Sequence, residues 1–453
     1  MSTLSRTAPA PTVRHVHLGL GNFFRAHQAW YTEHAPDGQE WGIAAFTGRS
    51  PQLSDDMAAQ DGLFTLVTRA ADGDRFEVVG SVAKAHAASD HAAWLAYFAD
   101  PQVAVVTTTV TEAGYLRAPG GGGVDAERPE VRSDLDTLRS DPTARVLTAP
   151  ARIVAGLAAR RAADAGPLTI VPCDNLPDNG PVVAGVLRDT AERWDPDLAR
   201  WMDANVAYVT TMVDRITPEP TAADLATVES ETGVADRAPV VTEPFSEWVL
   251  SGEFTAGRPR WEDAGATFTD DVGPFEQRKL WLLNGAHSTL AYAGSIRGHE
   301  TVADAMQDAT CRAWLQEWWD AASGHLALPA DDVAAYRDAL TERFANPRMR
   351  HLLGQIAADG SQKLPIRVVP VLLRERAAGR LPLGATRPLA AWVCHLRGSG
   401  APVTDARADE VVPLAAGPLP EAVRRVLGVL DPALADDEVV AAVVDQVGEL
   451  GAS

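Results

Sequence analysis

Short, almost continuously apolar runs recur along the first half of the chain and most constrain its fold. These runs are VRHVHLGL, WGIAAFT, FTLVTRA, FEVVGSV, VAVVTTTV, LTIVPCD and VAYVTTMVD, with helical patterns between them. Such runs are typical of strands buried on both faces of a parallel sheet, whose strands are joined by right-handed crossovers. We therefore predict the α/β class, with a doubly wound, Rossmann-like N-terminal domain.

The second half of the chain changes character after about residue 270. Segments with helical spacing, such as TCRAWLQEWWDAA and VVAAVVDQVGEL, replace the β-rich runs there. The chain of 453 residues also exceeds what one hydrophobic core usually organises. We predict two domains, a Rossmann-like domain in residues 1–270 and a mostly α-helical domain in residues 271–453.

Charge and cysteine usage narrow the class of ligand. The net charge of −21 opposes binding to nucleic acid or to an anionic membrane, so a small-molecule substrate is expected. Cys173, Cys311 and Cys394 have neither disulfide nor zinc-site spacing, which fits a reducing cytoplasm. No signal peptide or long apolar run is present, so we expect a soluble cytoplasmic protein with a loose N-terminal tail, as a monomer or a small homo-oligomer.

Two glycines follow the first predicted strand, in VHLGLGNFFRAHQAWYTE. Gly19 and Gly21 permit a tight turn, so that a dinucleotide's pyrophosphate can sit at the N-terminus of the next helix. An ordinary strand-to-helix turn fits equally well, because Phe24 replaces the third glycine of the pattern. Arg25 either reaches a phosphate or is a solvated helix residue.

Four histidines cluster in the same region, namely His15, His17, His27 and His34. His15 and His17 point to one face of a strand. No matching set of carboxylates or cysteines accompanies them, so we predict no metal site there.

The segment RKLWLLNGAHS has the pattern of a buried helix interrupted by Lys279, Asn284 and His287. At 100° per residue these three side chains and Glu276 lie within about 140° on one side. Apolar surroundings would lower the pKa of Lys279, potentially to about 7–8, where a lysine can serve as general base. The alternative is a solvated face on which Glu276 and Lys279 form a weak i,i+3 pair.

Polar residues also end two predicted strands. IVPCDNLPDNG places Asp174 and Asn175 after one strand, and TMVDRITP places Asp214 and Arg215 after another. Ligands bind at the carboxyl ends of strands in open α/β sheets, so these residues are site candidates. Each could equally be a turn former.

Taken together, the chain resembles the mannitol dehydrogenase family of polyol-specific long-chain dehydrogenases, which includes sugar-acid reductases such as fructuronate reductase. The similar segments lie in family order through most of the chain and are HLGLGNFFRAHQAWYTE, QDGLFTLV, VTTTVTEAGY, PCDN, VDRITP, TEPFSEWV, KLWLLNGAH and DGSQKLP. The family's KxxxxNxxH signature falls on Lys279, Asn284 and His287. The resemblance implies a metal-independent enzyme that transfers a hydride between a nicotinamide cofactor, NAD or NADP, and a polyol/ketose pair such as D-mannitol/D-fructose.

The resemblance also implies roles for individual residues. Lys279 would exchange a proton with the substrate's hydroxyl. Asn175 and Asn284 would donate hydrogen bonds to the developing alkoxide. The other implied members are listed by role: His287 to orient a substrate hydroxyl or the lysine, Asp214 and Glu276 to tune Lys279 or relay its proton, and Lys363 and Arg367 to bind substrate. The cofactor-binding candidates are Gly19, Leu20, Gly21, Asn22, Phe23, Arg25, Arg49 and Thr109.

Three departures from the family pattern bear on specificity. Phe24 stands where the family has a histidine, and Gln355 where several mannitol dehydrogenases have arginine. The segment AFTGRS lacks the acid that normally binds the ribose 2′-hydroxyl, so Arg49 could pair with a 2′-phosphate and NADP is expected alongside NAD. The alternatives are a uronate reductase, with Lys363 and Arg367 binding the carboxylate, and a non-catalytic dinucleotide sensor.

Overall fold

The computed structural model describes residues 2–48 and 50–450, so Arg49 lies outside the described residues. The chain divides into two compact units, Met1–Gly273 and Pro274–Ser453. The first unit is α/β and the second is helical. This confirms the predicted fold class.

The strands all belong to the first unit of the described chain. They are β1 Ser2–Thr3, β2 Val13–Leu18, β3 Gly42–Phe46, β4 Phe64–Ala70, β5 Gly73–Val79, β6 Val82–His86, β7 Val105–Thr108, β8 Leu168–Pro172, β9 Val206–Tyr208, β10 Thr210–Asp214, β11 Val234–Ala235, β12 Val240–Thr242, β13 Glu247–Ser251 and β14 Thr267–Phe268. The α-helices of this unit are α1 Asn22–Ala26, α2 Gln28–His34, α3 Gln52–Ala58, α4 His91–Phe98, α5 Pro129–Ser140, α6 Ala149–Ala162, α7 Asn179–Trp194, α8 Pro196–Asn205 and α9 Ala222–Thr232. Turns of 3₁₀ helix lie at Gly38–Glu40, Glu112–Tyr115 and Trp261–Ala264.

The main sheet is parallel, in the order β6-β3-β2-β7-β8-β9. Counted along the chain within this sheet, the order is 3-2-1-4-5-6, which is typical of dinucleotide-binding sheets. Leu18, at the end of β2, pairs with Phe46 of β3 and with Thr108 of β7. The strand order reverses between β2 and β7, which is where ligands bind in such sheets.

Two of the apolar runs lie outside this sheet, contrary to the prediction. FTLVTRA and FEVVGSV form the antiparallel hairpin β4–β5, which β12 extends by pairing parallel to β4. Ala70 pairs with Gly73, so the strands are joined by the two-residue turn Ala71–Asp72, the shortest common hairpin connection. Gly73, which follows this turn at the start of β5, has a φ of +152°. The local turn chemistry therefore overrides the apolar pattern.

The run VAYVTTMVD is split between two sheets. Val209 donates its backbone N–H to Ile170 of β8 at 3.0 Å, after which the chain leaves the main sheet. The following strand, β10, pairs antiparallel with β13. The side chain of Asn179 accepts a hydrogen bond from the backbone N–H of Thr211 at 2.9 Å. This N–H is therefore not available for a further backbone hydrogen bond to β8.

The N-terminal segment is fixed to the first unit, so the prediction of a loose tail is wrong. β1 pairs parallel with β11. Farther along, Arg6 donates to the carbonyls of Gly80 and Val82 at 2.5 and 2.9 Å. Its backbone N–H also donates to the carboxylate of Asp61 at 3.0 Å.

From residue 273 onward the described chain is helical, as predicted. The helices are α10 Gly273–Arg278, a π-helix Lys279–Gly285, α11 Ala286–Ile296, α12 Val302–Gln307, α13 Ala309–Ser323, α14 Ala330–Ala345, α15 Leu353–Ile356, α16 Gly360–Arg367, α17 Val369–Ala377, α18 Leu383–Leu396, α19 Ala408–Leu414, α20 Leu419–Leu430, a 3₁₀ turn Pro432–Ala435 and α21 Asp437–Glu449. Among all described residues, none of the helices has the length and apolar character needed to cross a bilayer.

Candidate active site

The glycine turn, residues 19–22, follows β2 at the switch point of the main sheet. Gly19 has a φ of +117°, and a Cβ there would lie 2.4 Å from Oγ1 of Thr109. Thr109 donates this hydroxyl to the carbonyl of Gly19 at 2.8 Å. Gly21 is extended, with a φ of −152°, and a Cβ there would meet only the Gly19 carbonyl oxygen, at 3.5 Å. The chain's own packing therefore requires glycine at position 19 but not at position 21.

The helix after the turn is short. α1 has only five residues, and the chain breaks at His27 before α2 begins. Nε2 of His27 is paired with the Glu247 carbonyl at 3.0 Å, and its ring stacks on Phe23 with centroids 4.9 Å apart. These contacts keep His27 out of helical geometry. The helix that begins at Asn22 is therefore short, and so is the macrodipole whose positive end lies there.

Phe24, which replaces the third glycine, is fully buried against β2. Its ring stacks on His17, with centroids 3.6 Å apart. His15 and His17 both contact the hydroxyl of Thr107, at 2.6 and 2.7 Å. Burial lowers the pKa of His15 to about 3, so this histidine is a neutral core residue.

Arg25 is buried rather than solvated, which excludes one of its two predicted readings. It donates to the carbonyl of Gly21 at 3.2 Å, to Oδ1 of Asn22 at 2.6 Å and to the carbonyl of Ala238. Burial lowers its pKa to about 10, so the guanidinium stays charged at neutral pH. A fixed cation therefore stands beside the glycine turn.

A pocket of about 440 Å³ opens next to this turn. Its described lining residues are Leu20, Asn22, Arg25, Thr47, Gly48, Ser50, Gln52, Leu53, Asp56, Glu219, Pro220, Leu225, Arg237, Ala238 and Pro239. The segment AFTGRS lacks an acid, yet Asp56 and Glu219, from other parts of the chain, are acidic residues of this pocket's lining. Glu219 accepts a hydrogen bond from Nδ2 of Asn22 at 2.7 Å.

The loop after β8 carries Asp174 and Asn175. The carboxylate of Asp174 is buried and accepts the phenol of Tyr115 at 2.7 Å and the N–H of Leu176 at 3.0 Å. Tyr115 is also 3.0 Å from the hydroxyl of Thr108, at the end of β7. Asn175 is exposed. Asp174 is therefore a loop anchor, while Asn175 is presented to solvent at the carboxyl end of the sheet.

Asp214 ends β10 and is buried opposite Glu247 of β13. Asn179 ties this strand to β8, because its side chain donates to the carbonyls of Pro172 and Thr211 at 3.2 and 3.1 Å. Asn175 and Asp214 consequently lie on two strand ends that one buried amide holds together.

Arg215 is a buried structural cation rather than an exposed turn residue. It donates to the carbonyls of Ala26 and Glu243. Its guanidinium lies 4.8 Å from the ring centroid of Trp30. Burial lowers its pKa to about 10.

In the second unit, KLWLLNG is a π-helix, which corrects the predicted 100° per residue. Lys279 and Asn284 lie at partly buried positions of this helix, and Glu276 lies in the preceding α10. Two of the three signature residues, Lys279 and Asn284, therefore lie on π-helical rather than α-helical backbone.

His287, in the first turn of α11, is enclosed by aromatic rings. Phe344 stacks on it with centroids 4.7 Å apart, and His351 meets it edge to face at 4.8 Å. Burial, followed by the charge of Arg343, lowers the pKa of His351. His351 is a neighbour of the signature histidine that the sequence did not suggest.

Lys363 and Arg367 lie one turn apart on α16. Arg367 donates to the hydroxyl of Ser288, the residue after His287, at 3.3 Å. Lys363 donates to the carbonyl of Ile356 at 3.2 Å. Burial lowers the pKa of both, and their mutual proximity lowers that of Lys363 further. The fold of the second unit thus places Arg367 next to α11, the helix that carries His287.

A separate pocket of about 500 Å³ in the second unit is lined in part by Gln355 and His299. Among the described residues, His299, Asp308 and Cys311 form a group with metal-ligating atoms close together. Arg297 already pairs with this carboxylate at 2.5 Å, and His299 contacts it at 3.0 Å. The cluster is therefore a salt-bridge network.

The candidates thus fall into two groups. The first unit assembles the glycine turn, Thr109, Asn175 and Asp214 along the carboxyl edge of its sheets. The second assembles the signature residues with Arg367. Sequence reasoning missed Tyr115, Asn179 and His351, whose contacts join residues distant in sequence, and Asp56, which lines the pocket beside the glycine turn. It also missed Trp318 and Trp319, which donate hydrogen bonds to backbone carbonyls of the π-helix. Tyr115 ends the motif VTTTVTEAGY and Asn179 follows PCDN, while Trp318 and Trp319 lie in the helical segment TCRAWLQEWWDAA. Asp56 and His351 lie in none of these segments.

The sheet order and the glycine turn define a two-domain protein with a Rossmann-like domain of the dinucleotide-binding type, and comparison with known proteins identifies its family. Residues 13–263 match the mannitol dehydrogenase Rossmann domain, and residues 271–450 match the mannitol dehydrogenase C-terminal domain. The chain therefore belongs to the mannitol dehydrogenase family.

Similar proteins within the family differ in substrate. D-mannonate oxidoreductase of Escherichia coli is 38% identical, over 85% of this chain and 80% of its own length. Mannitol 2-dehydrogenase of Cereibacter sphaeroides is 35% identical, over 85% of this chain and 81% of its own. The structure of Pseudomonas fluorescens mannitol 2-dehydrogenase, in a ternary complex with NAD and D-mannitol, superposes with a TM-score of 0.79 at 34% identity, covering 99% and 94% of the two chains.

Proposed function

We propose that this protein is an NAD(P)-dependent polyol dehydrogenase that interconverts a polyol such as D-mannitol with its 2-ketose. Residues 1–270 would bind the dinucleotide and residues 271–453 the sugar. The observation that carries the proposal is the match of both units to mannitol dehydrogenase domains, together with the complete signature Lys279, Asn284 and His287. We place the protein in the cytoplasm.

The residues around the glycine turn fit a dinucleotide. Gly21 leaves open the space that a Cβ would fill, and Arg25 supplies a fixed positive charge beside it. The residues that would hold the cofactor are Gly19, Leu20, Gly21, Asn22, Phe23, Arg25 and Thr109, with Arg49 added as a further candidate. When bound, the nicotinamide supplies a hydride acceptor for oxidation and a donor for reduction.

Lys279 would carry the proton. In oxidation the substrate's C–H bond breaks with loss of hydride, its O–H proton passes to Nζ of Lys279, and the C–O bond becomes a carbonyl. In reduction the ammonium would return that proton. Glu276 and Asp214 would tune the lysine or relay its proton to solvent.

The alkoxide that develops during transfer would be stabilised by amide donors. We assign this role to Nδ2 of Asn284 and of Asn175, each worth about 2.7–4 kcal/mol by analogy with oxyanion-hole donors in other enzymes. His287 would orient a substrate hydroxyl, and its enclosure by Phe344 and His351 supports a fixed ring position. Because the two amides stabilise the alkoxide and Lys279 accepts the proton, the proposed mechanism uses no metal.

A uronate reductase is the second candidate. Its substrate carries a carboxylate, and Arg367 and Lys363 lie close enough for their charges to interact, with Arg367 beside the signature helix. The similarity to D-mannonate oxidoreductase supports the same reading. A bidentate guanidinium suits a planar carboxylate.

The deciding experiment is an assay of NADH and NADPH oxidation with fructose, fructuronate and fructose phosphate. The first proposal expects turnover of fructose, unchanged after dialysis against EDTA. Turnover of fructuronate alone, lost in Arg367→Met, would establish the second candidate instead. Activity that is lost with chelator and restored by zinc would contradict the metal-independent mechanism.

A further inference from the structure

Two tryptophan side chains donate hydrogen bonds to the backbone of the π-helix Lys279–Gly285. Nε1 of Trp318 donates to the carbonyl of Trp281 at 2.9 Å, and Nε1 of Trp319 donates to the carbonyl of Leu282 at 2.9 Å. Both indoles are fully buried in α13. Side-chain donors that enter the backbone ladder are a known cause of departures from α-helical winding.

The same π-helix is fitted sterically to one of these rings. A Cβ at Gly285 would lie 2.4 Å from Cζ2 of Trp318 and 3.0 Å from its Nε1. Trp318 can therefore reach the carbonyl of Trp281 only because residue 285 has no side chain. The ring of Trp318 is thus fixed in two independent ways, by the hydrogen bond from its N–H and by the space that Gly285 leaves for it.

The winding of this helix decides where the signature side chains stand. In an α-helix of 3.6 residues per turn, residues five apart are separated by about 140° around the axis. A π-helix closes its hydrogen bonds between residues i and i+5, so its wider turn brings such residues closer to one face. Lys279 and Asn284 are five residues apart, so π-winding brings them closer together around the helix axis.

We propose that Trp318 and Trp319 are positioning residues, which hold the π-winding through their indole N–H groups and so place Lys279 and Asn284 for proton transfer and alkoxide binding. The inference rests on the proposed function for its effect on turnover. Its structural part, the dependence of the winding on the two donors, stands apart from any substrate.

The test uses Trp318→Phe and Trp319→Phe in the full chain, because phenylalanine keeps a buried ring and removes the N–H. We expect kcat to fall about 10–100-fold, as for small misplacements of catalytic groups, and the basic pKa of the rate profile to shift. Turnover is normalised to the amount of cofactor bound, which removes any inactive fraction. Trp314→Phe, on the same helix, is the matched control and should leave kcat and the profile unchanged.

A second replacement separates the hydrogen bond from packing. The benzothienyl analogue of tryptophan has nearly the same shape and no N–H, so it should lose turnover as the phenylalanine variants do. If this analogue at positions 318 and 319 keeps the wild-type kcat and pH profile, the indole donors do not position the site and the proposal is overturned. This replacement also remains informative if either phenylalanine variant fails to fold.

Hydrogen exchange distinguishes failure of this inference from failure of the proposed function. Amides of residues 279–287 should exchange faster in the variants lacking the N–H, whatever the substrate is. Unchanged exchange would refute the control of winding. Faster exchange with full activity would show that the donors control the winding but do not position Lys279 and Asn284 for turnover. Faster exchange in the variants of a wild type that oxidises no polyol would leave the control of winding intact and contradict the proposed function.

The steric fit between Gly285 and the ring of Trp318 can be tested with a double mutant. Gly285→Ala should reduce turnover at least as much as Trp318→Phe, because its methyl group displaces the indole. In the Trp318→Phe background the same alanine should cost little further, since the hydrogen bond that it would displace is already absent and Cζ2, the indole atom that it would meet at 2.4 Å, is gone. Additive losses in the double variant would contradict this coupling.

Discussion

The glycine turn of residues 19–22 and the π-helix Lys279–Gly285 both carry family motifs, yet different forces shape them. The turn is fixed by groups at the ends of neighbouring strands, such as Thr109, whose hydroxyl fills the space beside Gly19. The π-helix is fixed by two indoles that lie 37 residues farther along the chain than the carbonyls they bind.

This difference shows which motifs can be understood from local sequence. A turn at a strand end is dictated by glycine's access to positive φ and by the strand order, both of which leave a sequence signature. A π-helix over KLWLLNG has no local signature, because the composition of the segment is compatible with an α-helix. Its geometry is a property of the packed second unit.

The largest effect is expected at the π-helix. Lys279→Ala should lower kcat by about 10²–10⁴, the usual contribution of a positioned acid or base, while cofactor affinity stays near wild type. The pH profile of oxidation should lose its basic pKa. Stopped-flow turnover and fluorescence titration of the cofactor measure the two quantities. Lys84→Ala, at an exposed position of the first unit, is the control. If Lys279→Ala keeps the wild-type rate and pH profile, Lys279 is a solvated helix residue and not the general base.

The glycine turn offers the matching perturbation in the first unit. Gly19→Ala should cost about 2–4 kcal/mol of folding stability, because the methyl group meets Thr109 and the φ of +117° is strained for alanine. Gly21→Ala should leave the melting temperature unchanged and weaken dinucleotide binding. Calorimetry and cofactor titration of both variants check the distinction. Equal losses of stability would show that chain packing fixes both glycines.

The sequence predicted the strands of the main sheet well, but it did not show which apolar runs lie outside that sheet. Continuous apolar runs located β2, β3, β7 and β8, because strands covered on both faces need apolar residues on both. The hairpin β4–β5 was misplaced because apolar content does not reveal the pairing partner, although Ala-Asp-Gly between the runs was a legible turn signal.

The sequence names candidate site residues, but it does not reveal the residues that hold them in place. Lys279, Asn284 and His287 were found through the motif, since a family resemblance preserves residue types at fixed spacing. Tyr115, Trp318 and Trp319 were not found, because a tyrosine or tryptophan in an apolar segment is equally compatible with simple core packing. Their hydrogen bonds become visible only once the partner segment is placed.

The buried pair Tyr115 and Asp174 tests whether hydrogen bonds between residues distant in sequence also stabilise the first unit. Burial raises the pKa of Asp174, and the hydrogen bond from Tyr115 opposes that rise. A carboxyl whose pKa is higher folded than unfolded loses stability as pH rises above the ordinary aspartate range. Tyr115→Phe raises this pKa further, so we expect a loss of about 1–3 kcal/mol at pH 7 and a smaller loss near pH 4.

Denaturant titrations at the two pH values measure this effect. Tyr208→Phe is the control, since within the described part of the chain the buried phenol of Tyr208 has no hydrogen-bond partner. That variant should be neutral or slightly stabilising at both pH values. A pH-independent loss in Tyr115→Phe would mean that the phenol does not act through the Asp174 carboxylate.

The smallest effect concerns the pocket beside the glycine turn, where sequence and structure give different expectations for the cofactor. The segment around Thr47 lacks the acid that favours NAD, yet Asp56 on α3 lines the pocket with a carboxylate. A charge about 4 Å from a phosphate is worth about 1 kcal/mol in a water-like medium, or about fivefold in affinity. Asp56→Asn should therefore raise the ratio of kcat/KM for NADP to that for NAD about fivefold, whereas Asp55→Asn, exposed on the same helix and outside the pocket lining, should not change it. Arg49→Ala should lower the same ratio; if Asp56→Asn has no effect and Arg49→Ala does, discrimination depends on the loop cation, and the carboxylate of α3 has no part in it.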